Sequence, residues 1–352
     1  MSDLNTPAPR YRHLLTRKLP VIAAALIAAL LIAIWVRFAA QPAQQPEKLV
    51  IAHASQPSFA LIYIAAARGY FSDEGLDVEL QPHVLGRDAL NSAIQGRADL
   101  ATVYETPVVR RIYEGTALGI ISTLHTSTRS QALLARRDSG ISTIGDLRGK
   151  RVGVTPGTSM EFLLHLLLAT ENVPASAIST VRLEPADYES AISGGQVDAL
   201  MVFGPHLHTL QQKFGKDRLA VFQTDLYIET SLLAGMRDRL LAKPAAMKRL
   251  LKALLRAQAH ARTHPAESLD IVVRQLAGRY TEEAVRQGFA DIRLDIELDH
   301  LLLTLLTQEA RWLKDKGTFS TPVPDFREFI ITDFLHDVKP LATTLHSSRR
   351  PR

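Results

Sequence analysis

A short pattern occurs twice in this chain, and it limits the possible folds more than any other feature. The first copy, Asp88 to Pro107, reads Asp-Ala-Leu-Asn-Ser-Ala-Ile-Gln-Gly-Arg-Ala-Asp-Leu-Ala-Thr-Val-Tyr-Glu-Thr-Pro. The second, Asp187 to Pro205, reads Asp-Tyr-Glu-Ser-Ala-Ile-Ser-Gly-Gly-Gln-Val-Asp-Ala-Leu-Met-Val-Phe-Gly-Pro. Ser92 corresponds to Ser190, Gly96 to Gly194, Asp99 to Asp198 and Pro107 to Pro205. The Ala-Ile segment ends at a glycine, which reads as a helix closed by a left-handed residue. The Asp opens a short apolar run, residues 100–103 or 199–203, which reads as a buried strand. The Pro sits where a following helix begins, since its φ is preset and it has no N–H to leave unpaired. Each copy is thus helix, tight turn, strand, helix. Two similar α/β lobes facing each other across a cleft account for the repeat. In open α/β sheets ligands lie beyond the carboxyl ends of strands. That places two loops at the cleft, Tyr104-Glu105-Thr106-Pro107 and Phe203-Gly204-Pro205-His206.

At 352 residues the chain has room for about two domains. The net charge of +5 is modest and falls largely at the ends. No central Lys/Arg stripe interleaves with aromatics, so nucleic-acid binding has no support. The chain has no cysteine, which excludes disulfides, thiolate chemistry, cysteine-ligated zinc and lipid attachment to cysteine. Residues 1–18 are polar and basic and read as a cytoplasmic tail. Leu19 to Val36 is a nearly unbroken apolar run of bilayer-spanning length. Arg10, Arg12, Arg17 and Lys18 precede it, so the N-terminus is expected inside and the bulk outside. Phe38-Ala39-Ala40 makes a poor cleavage site, so residues 19–40 are expected to remain as a single-pass transmembrane anchor. Residues 41–47, with Pro42 and Pro46, read as a stiff linker.

Apolar strands alternate with helical segments through the middle of the chain, and residues beyond Pro244 are mostly helical. Two more turns follow apolar strands and carry hydroxyls: Ser55-Gln56-Pro57-Ser58 and Pro156-Gly157-Thr158-Ser159. Each reads either as a plain N-cap or as a polar-group site at a helix N-terminus, and the residues alone leave both open. The candidate ligand-binding residues are therefore Ser55, Gln56, Ser58, Tyr104, Glu105, Thr106, Gly157, Thr158, Ser159, Phe203 and His206. A carboxylate at Glu105 favours an amine or aminopyrimidine over a simple oxyanion. His206 and His208 alternate, and His260 and His264 share a helix face, but no further ligand completes a metal site, so no metal or cofactor is expected. No phosphate loop, H-E-x-x-H or G-x-S-x-G motif is present. No catalytic residue is assigned and no enzymatic activity is expected.

Several ordered motifs carry a family resemblance. Tyr70-Phe-Ser-Asp-Glu-Gly-Leu-Asp-Val-Glu79, Ala93-Ile-Gln-Gly-Arg-Ala-Asp99, the stretch Arg137 to Val154 and Gly194-Gly-Gln-Val-Asp198 resemble the solute-binding proteins of ABC importers for nitrate, sulfonates and taurine. The same family includes binders of thiamine pyrimidine precursors. The resemblance covers roughly residues 48–320. It implies a two-lobed periplasmic-binding-protein-like (type II) α/β fold whose lobes close on a small polar organic solute. It places lobe 1 at 48–131 plus 231–340, lobe 2 at 132–230 and a flexible tail at 341–352. It implies as partners an ABC permease and its ATPase, with the binding domain outside the bacterial inner membrane. The chain departs from relatives that use a lipidated cysteine or a cysteine-rich synthase motif, since it has no cysteine. A membrane-tethered sensor built on the same module is the alternative.

Overall fold

The computed structural model describes residues 45–345. The expected tail at 1–18 and the membrane anchor at 19–40 lie outside the described residues. Among the described residues no helix is long and apolar enough to cross a membrane.

Two sheets divide the strands. The first contains β1 (Glu47–Ala54), β2 (Leu76–His83), β3 (Leu100–Tyr104), β4 (Leu118–Ser127), and β10 (Glu229–Met236) with the short β11 (Arg293–Leu294). Its order is β11-β4-β10-β3-β1-β2. The second contains β5 (Gln131–Arg136), β6 (Arg151–Val154), β7 (Ser179–Arg182), β8 (Ala199–Phe203) and β9 (Leu219–Phe222), in the order β7-β6-β8-β5-β9. The chain crosses from the first sheet to the second between β4 and β5 and returns between β9 and β10. β1 runs parallel to both β2 and β3, and β6 parallel to both β7 and β8. Parallel strands need helical crossovers that cover the sheet faces. Accordingly β3 and β8 are almost wholly buried, as are the last four residues of β1.

In the first lobe these covers are α1 (Ala60–Ala67), α2 (Tyr70–Asp73), α3 (Gly86–Ile94) and α4 (Glu105–Tyr113). In the second they are α5 (Ser159–Thr170), α6 (Tyr188–Ser193) and α7 (Gly204–Phe214). The C-terminal part supplies α8 (Arg237–Ala242), α9 (Pro244–Thr263), α10 (Pro265–Gln275), α11 (Glu282–Ala290), α12 (His300–Asp315) and α13 (Asp333–Val338). α9 packs on α1, and α12 packs on α4, where the Tyr113 hydroxyl donates to the Ala310 carbonyl at 2.9 Å. α11 reaches across to α7, with Gly288 packed against Pro205.

The repeat has one structural job in both lobes. Asp99 accepts from Val50 N–H at 2.9 Å, and its own N–H donates to the Val50 carbonyl at 2.8 Å. Asp198 does the same for Arg151, at 2.8 Å in each direction. Each Asp therefore clamps the neighbouring parallel strand, Asp99 in the middle of β1 and Asp198 at the start of β6. The left-handed turn residue is Gly96 in the first copy, at φ +76, but in the second it is Gly195, at φ +68, and not Gly194, which is helical at φ −77. Leu219–Phe222 pairs with β5 in the second sheet. The linker ends earlier than expected, because Glu47 already pairs with Leu76. Residues 341–345, expected in a frayed tail, are held: Leu298 N–H donates to the Ala342 carbonyl, and Ala342 and Leu345 are buried.

Candidate ligand-binding cleft

Three helices, α3, α4 and α5, begin just beyond strands and turn their first residues to one pocket, while α7 contributes only the residue before its start, Phe203, because its Gly204 N–H is taken by the Ser130 carbonyl and Pro205 has none. Leu85, Gly86 and Arg87 come from the start of α3; Tyr104 and Pro107 from α4; Thr158, Ser159 and Met160 from α5; Phe203 from α7. Gln56 and Gln131 complete the wall. None of the four N-cap residues uses its side chain to cap its helix. First-turn N–H groups lack intrahelical partners, and with the helix dipole they favour a negatively charged group. Gly86 has a packing reason: a Cβ there would come within 3.1 Å of the Val103 backbone, so the helix start can lie close on β3 only as glycine. The cavity left between these side chains is small, about 20 Å³.

Ion pairs tie the two lobes beside this pocket. Arg87 on α3 donates to Glu184 at 2.6 and 2.7 Å and also to the Pro156 carbonyl. Arg110 on α4 donates to Glu161 on α5 at 2.7 Å, and Lys316 approaches the same carboxylate at 3.6 Å. Glu161 also accepts from the Gly157 N–H at 2.8 Å.

Of the residues expected from sequence, the pocket brings together Gln56, Tyr104, Thr158, Ser159 and Phe203. Ser58 lies one step behind the wall, hydrogen-bonded to the Tyr104 hydroxyl at 2.6 Å. Ser55 is buried and donates its backbone N–H to the His83 carbonyl. Gly157, at φ +70, sits at the outer mouth with Arg87, Arg110 and Glu184. His206 is not part of the wall; it packs edge-on against Phe203, Tyr188 and Tyr280. Burial there pulls its imidazole down to about 4.

Glu105 and Thr106 do not reach the pocket either. The helix starts at Glu105, so these two side chains turn beneath the cleft floor and both are fully buried. Glu105 accepts from the Tyr227 hydroxyl and from Thr230 N–H at 3.2 Å. Two other glutamates share this interior. Glu229, at the start of β10, accepts from Ser130 and Gln131. Glu309 on α12 lies beside Glu105 and Thr106, and neither of its oxygens has a well-aligned donor. Burial raises all three carboxyls: Glu105 well above the usual range, with the Glu309 and Glu229 charges adding to the effect, and Glu229 and Glu309 up to about 8. Burial favours the protonated form of Glu105, and its side chain lies outside the pocket wall, so it makes no contact with what the pocket holds.

Sequence reasoning missed Leu85, Gly86, Arg87, Gln131 and Met160. The strand-end rule applied to β2 would have found the Gly86-Arg87 helix start. Nothing local marks Gln131, whose place depends on the crossing between sheets.

A family model described as NMT1/THI5 like matches residues 56–268. The chain belongs to the NMT1/THI5-like family. A putative binding protein of Brucella abortus is 25% identical over 218 residues, covering 60% of this chain and 66% of the relative, just under two thirds of its length. The riboflavin-binding protein RibY of Chloroflexus aurantiacus is 25% identical over 312 residues, covering 84% of this chain and 88% of that protein. The crystal structure of the periplasmic aliphatic sulphonate binding protein SsuA from Escherichia coli shares the fold, with a TM-score of 0.70 at 20% identity, covering 81% of this chain and 97% of that one. The two-lobed α/β architecture is thus that of the periplasmic binding proteins.

Proposed function

We propose that this protein is the solute-binding component of an ABC importer, and that its two lobes close on a small organic anion of the sulfonate type. The observation that carries this reading is the convergence of three uncapped helix N-termini, those of α3 and α4 from the first lobe and of α5 from the second, on one pocket between the lobes. Only the closed arrangement brings the N–H donors of both lobes together, so an anion stabilises closure by its preference for that state. Arg87 lines the same wall, its guanidinium held by the Glu184 carboxylate. Leu85, Pro107, Met160 and Phe203 provide apolar surface for a carbon body, which a bare inorganic anion lacks. The expectation of an amine or aminopyrimidine ligand is withdrawn, because the Glu105 side chain lies beneath the cleft and out of reach. Binding rather than catalysis fits a wall built of backbone N–H groups, hydroxyls and amides. The apolar run Leu19 to Val36 supports anchoring in the inner membrane, with the binding unit outside and delivery to a permease with its ATPase.

Calorimetric titration tests the ligand class. Propanesulfonate and related alkanesulfonates are expected to bind, and to raise the melting temperature by mass action. Binding of riboflavin with no response to any sulfonate would overturn the anionic reading while leaving a binding protein.

A further inference from the structure

Gln131 is the first residue of β5, where the first crossing segment enters the second sheet, and it forms part of the pocket wall. Both N–H bonds of its side-chain amide are taken. Nε2 donates to the Ser159 hydroxyl oxygen at 2.6 Å and to a carboxylate oxygen of Glu229. The other Glu229 oxygen is held by the Ser130 hydroxyl. A primary amide has only two such hydrogens, so its orientation is set from behind the wall. With Glu229 ionised, turning the amide over would set its carbonyl against the Glu229 carboxylate. What remains is the carbonyl Oε1. The residue is 4% exposed, and Oε1 has no hydrogen-bond partner among the described residues. Buried acceptors in folded proteins are almost always matched. A pocket-wall acceptor left unmatched by the protein is matched by what the pocket holds.

Resting on the anionic-solute reading above, we propose that Gln131 is a specificity-determining residue that selects solutes carrying a hydroxyl or amino group to donate to its Oε1. The helix ends take the anionic end, and Gln131 reads a donor elsewhere on the carbon body. Unsubstituted alkanesulfonates and inorganic oxyanions carry no donor and leave Oε1 desolvated and unpaired. A site built to hydrogen-bond a ligand group discriminates strongly against an analogue without it.

The test compares two sulfonates of the same size, 2-hydroxyethanesulfonate and propanesulfonate, which differ only by a hydroxyl in place of a methyl. The full-length chain is titrated with each above the titration of Glu229, which burial lifts to about 8. The hydroxylated probe is expected to bind at least about tenfold more tightly, the scale of one neutral hydrogen bond and the desolvated acceptor it satisfies. In Gln131→Leu that ratio is expected to fall close to one. Propanesulfonate binding as tightly as its partner to the unaltered protein overturns the proposal, whether or not the variant folds. So does a ratio that persists in Gln131→Leu. If neither sulfonate binds, the anionic-solute reading itself fails and the inference falls with it.

Discussion

Three glutamates buried together set the behaviour of single residues under the cleft. Glu105, Glu229 and Glu309 hold their protons in the folded chain well past the usual 4.5. The unfolded chain releases them above that value, so between about 4.5 and 8 the folded state binds more protons, and stability falls as pH rises. Two buried imidazoles act from the other side. His125 and His206 are pulled down to about 3 and about 4, so the unfolded chain binds their protons below 6.5 and stability falls as pH drops. Denaturant midpoints measured across pH should therefore peak on the acidic side of neutrality. Glu309→Gln should flatten the loss towards pH 8, and an unchanged slope in that variant would remove Glu309 from the account. None of this was legible in the sequence. Glu105 was read as facing a ligand because it follows a strand. The side chains that hold it, Tyr227 and Glu309, lie far along the chain and come near only through the returning strand and α12.

At the scale of elements the repeat was legible and informative. Its Asp, strand and new helix fall at matching places in both lobes, and the hydroxyl-bearing turns at Gln56, Thr158 and Ser159 do line the pocket. The reason is local: a strand end, an uncapped helix start and a small residue are all written in adjacent positions. Which strand joins which sheet is not local, since it depends on partners far along the chain. The two aspartate clamps can be tested separately. Asp198 also pairs with the Arg151 guanidinium at 2.8 Å, and that bond holds its carboxyl below the usual range. Asp99 pairs with Lys243 at 2.7 Å. Asp99→Asn and Asp198→Asn should each lower unfolding free energy by about 1–3 kcal/mol, since each weakens a charge-assisted bond to a strand N–H. Urea midpoints indistinguishable from the parent in both variants would show that the clamp is not what the repeat preserves.

The whole molecule responds through contacts that exist only when the lobes meet. Glu161 gathers Arg110 and Lys316 from the far lobe while its side chain remains only 16% exposed, so it is screened less than the half-exposed Glu184 that faces Arg87. Glu161→Ala should weaken solute binding several-fold by favouring the open state, chiefly through faster release in stopped-flow measurements. A slower on-rate with unchanged release would point to steering instead. The route of the chain between lobes has a consequence in time. The second sheet is contiguous and has all its strands once the chain reaches Phe222. The first is not: β3 and β4 have no pairing with each other, and the strand that fills the space between them is β10, which the chain reaches only after passing through the whole second lobe. Assembly is thus ordered by connectivity, with the middle segment able to settle while its flanks still wait for a missing centre. Pulse-labelled amides should be protected in β5 to β9 before β3 and β10, and simultaneous protection would mean that the two lobes form as one unit. Until β10 arrives, a growing chain carries one finished sheet and one with a gap, so any factor that protects it from aggregation has the first lobe to guard.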